Sequence, residues 1–225
     1  MGYGWSKSFV NAITYQDAAH IYGKGSFHLI DTLFSASALS ALDPAILGDQ
    51  RFILAPPNFI DGLRNAQPPT EAQLAAIRRD AGRQAKVLAA GALVANGTDS
   101  PLVVPGISLH LNLRAAAMAL GNVEALRTVT INAARVAGAD RDLGTVEAGK
   151  LVDLIAVRGN PLEDLNAAAD VAYVIKNGNV STQAQILAPF RTPQALVARK
   201  RDIAAYERRC RQDPGQCGGA GAHAH

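Results

Sequence analysis

At 225 residues the chain has room for one large domain, or for a domain and a half. Hydrophobic residues at 48% and charged residues at 18% supply material for a core and exclude general disorder. There is no run of about 18 apolar residues free of charge, and two cysteines, Cys210 and Cys217, exclude a disulfide-dense scaffold and a four-Cys zinc site.

The net charge of +3 is unevenly placed. From Pro189 onward seven Lys/Arg stand against three Asp/Glu, so the remaining body is close to neutral and slightly acidic. A nucleic-acid-binding fold would interleave cations with aromatics over a surface. Aromatics are only 5%, so no nucleic-acid partner is expected. The start, Met1 to Lys7, has no apolar stretch behind its first Lys. The expectation is therefore no signal peptide, with the cytoplasm as the default compartment.

In chain order, Tyr15 to Tyr22 reads as a short helix stopped at Gly23 or Gly25. Phe27 to Phe34 reads as a strand with Phe27, Leu29 and Leu33 on one face. Ser37 to Leu42 suggests a helical turn stopped by Asp43-Pro44. Gly48 to Pro69 reads as a long structured loop. Thr70 with Gln73 three residues on is a capping-box pair, and Leu74, Ile77, Ala81, Ala85 and Leu88 follow on one helical face to a stop at Gly91. Ala92 to Ala95 is a short buried strand ending in Asn96-Gly97-Thr98-Asp99-Ser100-Pro101.

Two more helices follow, Ser108 to Leu120 before Gly121 and a second from Asn122, as cap, to Gly138. Past Gly144 the period becomes two. Leu151 to Val157 and Val171 to Lys176 are strands, and Asn177-Gly178 is a hairpin turn returning through Asn179-Val180. Pro193 to Arg211 is a basic helix capped by Thr192, and Gly215 to His225 is a small-residue tail. The mixed charges of that helix, with Asp202 and Glu207 interleaved, favour a solvated surface over a membrane role.

The residue that offers a mechanism is Asp99, just past the C-terminal end of a buried strand, where α/β barrels place catalytic side chains. Its carboxylate can bind a metal ion, accept a proton from metal-bound water, or do both. Gly-Thr-Asp-Ser-Pro is equally good turn material, and Asp commonly bonds its own backbone there. Ser100 and Ser108 have no His-acid set at readable spacing, and Gly97, Gly106 and Gly144 form no phosphate loop. Asp153, Lys150 and Glu147 read as structural or surface charges around a tight turn. Cys210 and Cys217 could close a small loop in an oxidising compartment or stay thiols in the cytosol.

The run Asn96 to Pro101, then Gly106-Ile107-Ser108-Leu109-His110, resembles the eighth-strand region of the amidohydrolase superfamily, in its imidazolonepropionase-like and prolidase-like branch. Glu124-Ala125-Leu126, Thr130 to Ala134, Leu143 to Leu154, Asn160 to Asp164 and Val174 to Gly178 continue the pattern in order. The resemblance implies an α/β fold: the C-terminal fragment of a (β/α)8 barrel over 1–140, part of a composite β domain over 141–190, and a basic helix with tail over 191–225. It implies a hydrolase for C–N bonds other than ordinary peptide bonds, a divalent metal, zinc, as cofactor, and Asp99 as metal ligand and proton acceptor.

The family also carries a His-x-His on its first strand and single histidines from its fifth and sixth. Here the only His-x-His is His223-Ala224-His225, in the tail, and structural roles are favoured for His20, His28 and His110. Asn112 stands where the family pattern suggests an acid. A barrel needs about 250 residues, so the expectation is a truncated or split product, inactive alone, with a small-molecule substrate once completed by its missing N-terminal half. A non-catalytic interaction or assembly module is the alternative, and homo-oligomerisation stays open.

Overall fold

The computed structural model describes residues 21–25, 27–42, 49–57, 66–99 and 106–213. The expectations for Tyr15 to His20, for Ser100-Pro101 and for the tail from Gly215 lie outside the described residues.

Strand β1 is Leu29–Asp31, followed by a 3-10 helix Phe34–Leu42 and a second 3-10 helix Gln50–Leu54. The expected strand from Phe27 to Phe34 is thus shorter, and its face does not hold: Leu33 is buried while Phe27 is 63% exposed. Helix α1, Glu71–Ala89, starts as the sequence indicates. Thr70 Oγ1 accepts from the Gln73 backbone N–H, and the Gln73 side chain accepts from the Thr70 N–H at 2.8 Å. Such a box satisfies two donors that the first turn leaves unpaired. Strand β2, Val94–Asn96, then pairs parallel with β1, Leu29 opposite Val94 and Asp31 opposite Asn96. A helix between two parallel neighbours makes this a β–α–β unit.

Helix α2, Ser108–Thr128, breaks its helical dihedrals at Gly121 (φ 75°), the stop that the sequence indicates. Asn122 does not act as the expected cap. Its amide donates to the carbonyls of Leu162 and Glu163 at 3.0 and 3.1 Å, tying α2 to the C-terminal unit. The expected second helix ends at Thr128, and α3, Ile131–Val136, is a separate piece.

Strands β3, Leu154–Val157, β4, Val171–Lys176, and β5, Asn179–Thr182, form an antiparallel sheet in that order, separate from β1–β2. A 3-10 helix, Leu165–Ala169, precedes β4. The β4–β5 turn has Asn177 and Gly178 at φ 50° and 77°, both positive as a type I′ hairpin requires. A short α4, Gln183–Leu187, leads to α5, Pro193–Gln212, with Thr192 Oγ1 accepting from Ala195 N at 3.2 Å.

The main core joins the first two 3-10 helices to α1 and α2. Leu33, Leu39, Phe52, Ile77, Ala81, Leu111, Ala115 and Ala116 belong to one buried cluster. Alanines at full burial let backbones approach closely where larger side chains would hold them apart. Gly144 shows the same constraint in a turn. Its φ is 96°, and a Cβ there would stand 2.7 Å from Ala134 Cβ and 3.0 Å from Ile131 Cα.

Lys150 departs from its reading as a surface charge. Its side chain is 13% exposed, and Nζ donates to the Asp140 carbonyl at 2.8 Å and to Thr145 Oγ1 at 2.6 Å, closing the 140–150 turns. Glu147 is exposed, as expected. Asp153 fits its structural reading: it accepts from Lys176 Nζ and from Asn177 N, bracing the hairpin, and these hydrogen bonds hold its carboxyl below the usual range.

Helix α5 and the turn before it are tied to the second 3-10 helix by arginine side chains. Arg199 donates to the carbonyls of Phe52 and Ala55 at 2.8 and 3.1 Å, and Arg191 to Gln50 Oε1 at 2.7 Å. Cys210, on its last turn, is disulfide-bonded, while the chain's other cysteine, Cys217, lies outside the described residues.

Candidate functional site

Two surfaces carry chemistry: the C-terminal ends of β1 and β2, and a cleft beside α2. At the strand ends, alternation puts Asp31 and Asn96, register partners, on the α1 face. Gln84 of α1 meets both. Its Nε2 donates to Asp31 Oδ2 at 3.0 Å and to Asn96 Oδ1 at 2.7 Å. Asn96 Nδ2 donates to Thr128 Oγ1 at 2.7 Å, and that hydroxyl donates to the Ala125 carbonyl at 2.6 Å. The chain of bonds is buried: Gln84 and Thr128 have no exposed surface. Gln84 Oε1 has no hydrogen-bond partner, because Asp31 and Asn96 both present acceptors to this side chain. Burial pushes the Asp31 carboxyl up from its ordinary value, more than the Gln84 hydrogen bond lowers it.

The opposite face of this two-stranded sheet carries Ile30 and Ala95, and Ile30 is 65% exposed. Past β2 the chain turns at Gly97, whose N–H donates to the Asp31 carbonyl at 2.8 Å and whose carbonyl accepts from Asn112 Nδ2 at 2.7 Å. Asn112 is 2% exposed. An ionised acid at 112 could not donate to a carbonyl, which accounts for the amide in that place.

Asp99 follows, exposed and on left-handed backbone with φ 49°. Asp is one of the few residues that tolerate that conformation. The chain leaving the strand is therefore fixed on both sides at Gly97, with the carboxylate two residues beyond it.

Among the described residues, no group of three or more His, Cys, Asp or Glu is close enough to hold a metal ion. His28 is exposed, His110 sits on α2, and His20, His223 and His225 lie outside the described residues. The donor set on the described residues thus does not fit a catalytic metal, which takes three or more protein ligands.

The second surface is a cleft of about 1240 Å³ between α1, α2, the 3-10 helices and the start of β4; Asp99 does not line it. At one edge Asp49 caps the Gln50–Leu54 turn and clamps Arg51, whose Nε donates to Asp49 Oδ1 at 2.8 Å. Burial alone would raise the Asp49 carboxyl, but hydrogen bonds from the Arg51 side chain and backbone hold it below the usual range. Arg51 Nη1 also approaches His110 Nε2 at 2.9 Å. A guanidinium can only donate, so Nε2 accepts. Burial and the neighbouring Arg51 and Arg114 lower the His110 pKa to about 4, which keeps the ring neutral with its proton on Nδ1. His110 thus has a partner, Arg51, 59 residues away, that left no mark in the sequence.

A 73-residue stretch is 42% identical to an imidazolonepropionase of Geobacillus sp. (strain WCH70), covering 31% of this chain and 17% of that protein. A 110-residue stretch is 30% identical to a 5-methylthioadenosine/S-adenosylhomocysteine deaminase of Moorella thermoacetica (strain ATCC 39073 / JCM 9320), covering 43% and 26%. In fold, the chain is similar to a prolidase crystallised with N-methylphosphonate-L-proline, with TM-score 0.52 and 24% identity over 74% of this chain and 38% of that one. It is also similar to an amidohydrolase crystal structure, with TM-score 0.50 and 20% identity over 74% and 37%. The matches span less than half the length of each of these relatives. The sequence model described as the Amidohydrolase family matches residues 60–181, more than half of the chain, and the chain belongs to that family.

Proposed function

We propose that this chain supplies the Asp99 strand end of a hydrolase for C–N bonds other than ordinary peptide bonds. In this reading β1–α1–β2 are the last strands and helix of a (β/α)8 barrel, and the β3–β4–β5 sheet is part of a composite β domain. By resemblance, Asp99 would be one ligand of a divalent metal, zinc, and would be placed to take up a proton from water that the metal activates. The other ligands come from outside the described residues, so no reaction step is assigned to this chain alone.

The supporting observation is the pinned strand end. Gly97 is held from Asp31 on one side and from Asn112 on the other, and Asp99 stands in the open two residues later. Catalytic carboxylates need such fixed supports.

The test is equilibrium dialysis of the purified chain against zinc, with elemental analysis and turnover of small amides and cyclic ureides. The same assays follow co-expression with any in-frame upstream segment bearing a His-x-His. Stoichiometric metal and turnover in the completed protein, both lost in Asp99→Asn, are expected. Turnover untouched by Asp99→Asn overturns the reading. The alternative, a non-catalytic assembly module, draws on the exposed Ile30 on a sheet that has two strands among the described residues. Self-association without metal in the completed protein would favour it.

A further inference from the structure

Helix α5 is held on one side and bare on the other. Arg199 and Tyr206 mark the held side: Arg199 donates to the Phe52 and Ala55 carbonyls, and Tyr206 is buried. At about 100° per residue both lie about 180–200° around the helix from Val197, which is 68% exposed. Lys200, Arg201, Ala204, Arg208 and Arg211 all fall within about 60° of Val197, and the four cations among them are exposed. The two acids that interleave in the sequence sit off this face, Asp202 about 140° and Glu207 about 80° around from Val197. Folding thus resolves a helix of mixed charge into a cationic outer face. Among the described residues Lys200, Arg208 and Arg211 form no ion pair, and Arg201 has only a 3.9 Å approach to the exposed Asp202.

The charges form a row along the axis rather than a cluster. From Lys200 to Arg211 they span about 16 Å of helix, and the apolar Pro193 and Val197 continue the same face toward its start. An acidic protein would need discrete carboxylates in register with that row. A continuous anionic plane needs no register, and long cationic side chains reach its headgroups while an apolar neighbour meets the carbons beneath. We propose that α5 docks this protein on an anionic lipid surface, with headgroup phosphates against Lys200, Arg201, Arg208 and Arg211 and with Val197 against the upper acyl carbons. Each cation near such a surface is worth about fivefold in binding.

The test is co-sedimentation of the full chain with vesicles of phosphatidylcholine and phosphatidylglycerol in equal parts, and with vesicles of phosphatidylcholine alone. Binding to the anionic vesicles only is expected, and it should be lost as NaCl rises from about 20 mM to about 0.5 M. The paired change Lys200→Gln with Arg208→Gln should weaken binding about 25-fold. Arg79→Gln with Arg141→Gln removes the same net charge from exposed positions elsewhere and should weaken it much less. Val197→Ser should weaken it severalfold at low salt. No binding to the anionic vesicles overturns the proposal, and so does equal binding to both kinds. Equal losses in the two paired variants also overturn it, since net charge alone would then account for the effect. If the parent self-associates without lipid and the Lys200/Arg208 variant is monomeric, the face joins copies of this chain and the proposal falls. No metal or substrate enters these measurements, so their outcome leaves the Asp99 reading untouched, and the reverse also holds.

Discussion

Asn112 Nδ2 donates to the Gly97 carbonyl at 2.7 Å, joining the first turns of α2 to the strand end that carries Asp99. Both partners are buried or half-buried, so the bond is expected to matter more than a surface contact. Asn112→Leu leaves the Gly97 carbonyl unpaired and should cost about 1–3 kcal/mol. Asn112→Asp should cost more at pH 7, because it buries a charge and faces a carbonyl with an acceptor. Urea unfolding at pH 7 ranks the two; equal stability of both variants and the parent would show that the contact carries no energy.

His110 gives a pH signature. Its folded pKa is about 4 against an ordinary 6.5, so the fold favours the neutral ring. The unfolded chain binds a proton first as pH falls. The contribution is fully present above pH 6.5 and is lost between about 6.5 and 4, on the order of 2–3 kcal/mol in all. Urea midpoints from pH 7.5 to 4 should fall more steeply for the parent than for His110→Phe. Parallel slopes would remove His110 as the source.

Asp31→Asn should stabilise the protein at pH 7. Burial raises the Asp31 carboxyl, so ionisation at neutral pH is a cost of folding, present as pH rises above the ordinary value of 3.8. An amide removes the charge and places a donor beside the unpartnered Gln84 Oε1. A gain of about 1 kcal/mol at pH 7, shrinking toward pH 4, is the expected result of denaturant titrations at both pH values.

Lys150→Met should lose about 1–3 kcal/mol, since the carbonyl of Asp140 and the hydroxyl of Thr145 lose a charged donor that the thioether cannot replace. Glu147→Gln, at an exposed position 4.0 Å from Lys150 Nζ, should change stability by less than about 0.5 kcal/mol. Thermal melts of the two variants separate an internal tie from a surface charge.

What could be read from the residues was what depends on near neighbours. Thr70 and Gln73, Thr192 and Pro193, Gly121, and Asn177-Gly178 act over two to four positions, and each lies where the sequence put it. β1 was overread because Phe27 and Leu33 are apolar in alternation, yet Leu33 is buried against the 3-10 helix while Phe27 faces solvent. Asp99 was legible as the residue past a strand, but not its support, since Asn112 and Gln84 act across 15 and 12 residues of folded chain. The cleft was not legible at all: Arg51 meets His110 across 59 residues, and Arg78, Arg114 and Glu163 belong to three segments that only packing brings together.

The grip of Arg199 on the carbonyls of Phe52 and Ala55 has an outcome for proteolysis. Most of α5 touches solvent, and only Tyr206 on it is buried, so the two Arg199 bonds to carbonyls are one of its ties to the body. A nick in the exposed 188–192 stretch would let it leave as an intact rod. The Gln50–Leu54 segment would then lose its outer clasp, and the rim of the cleft at Arg51 would loosen with it.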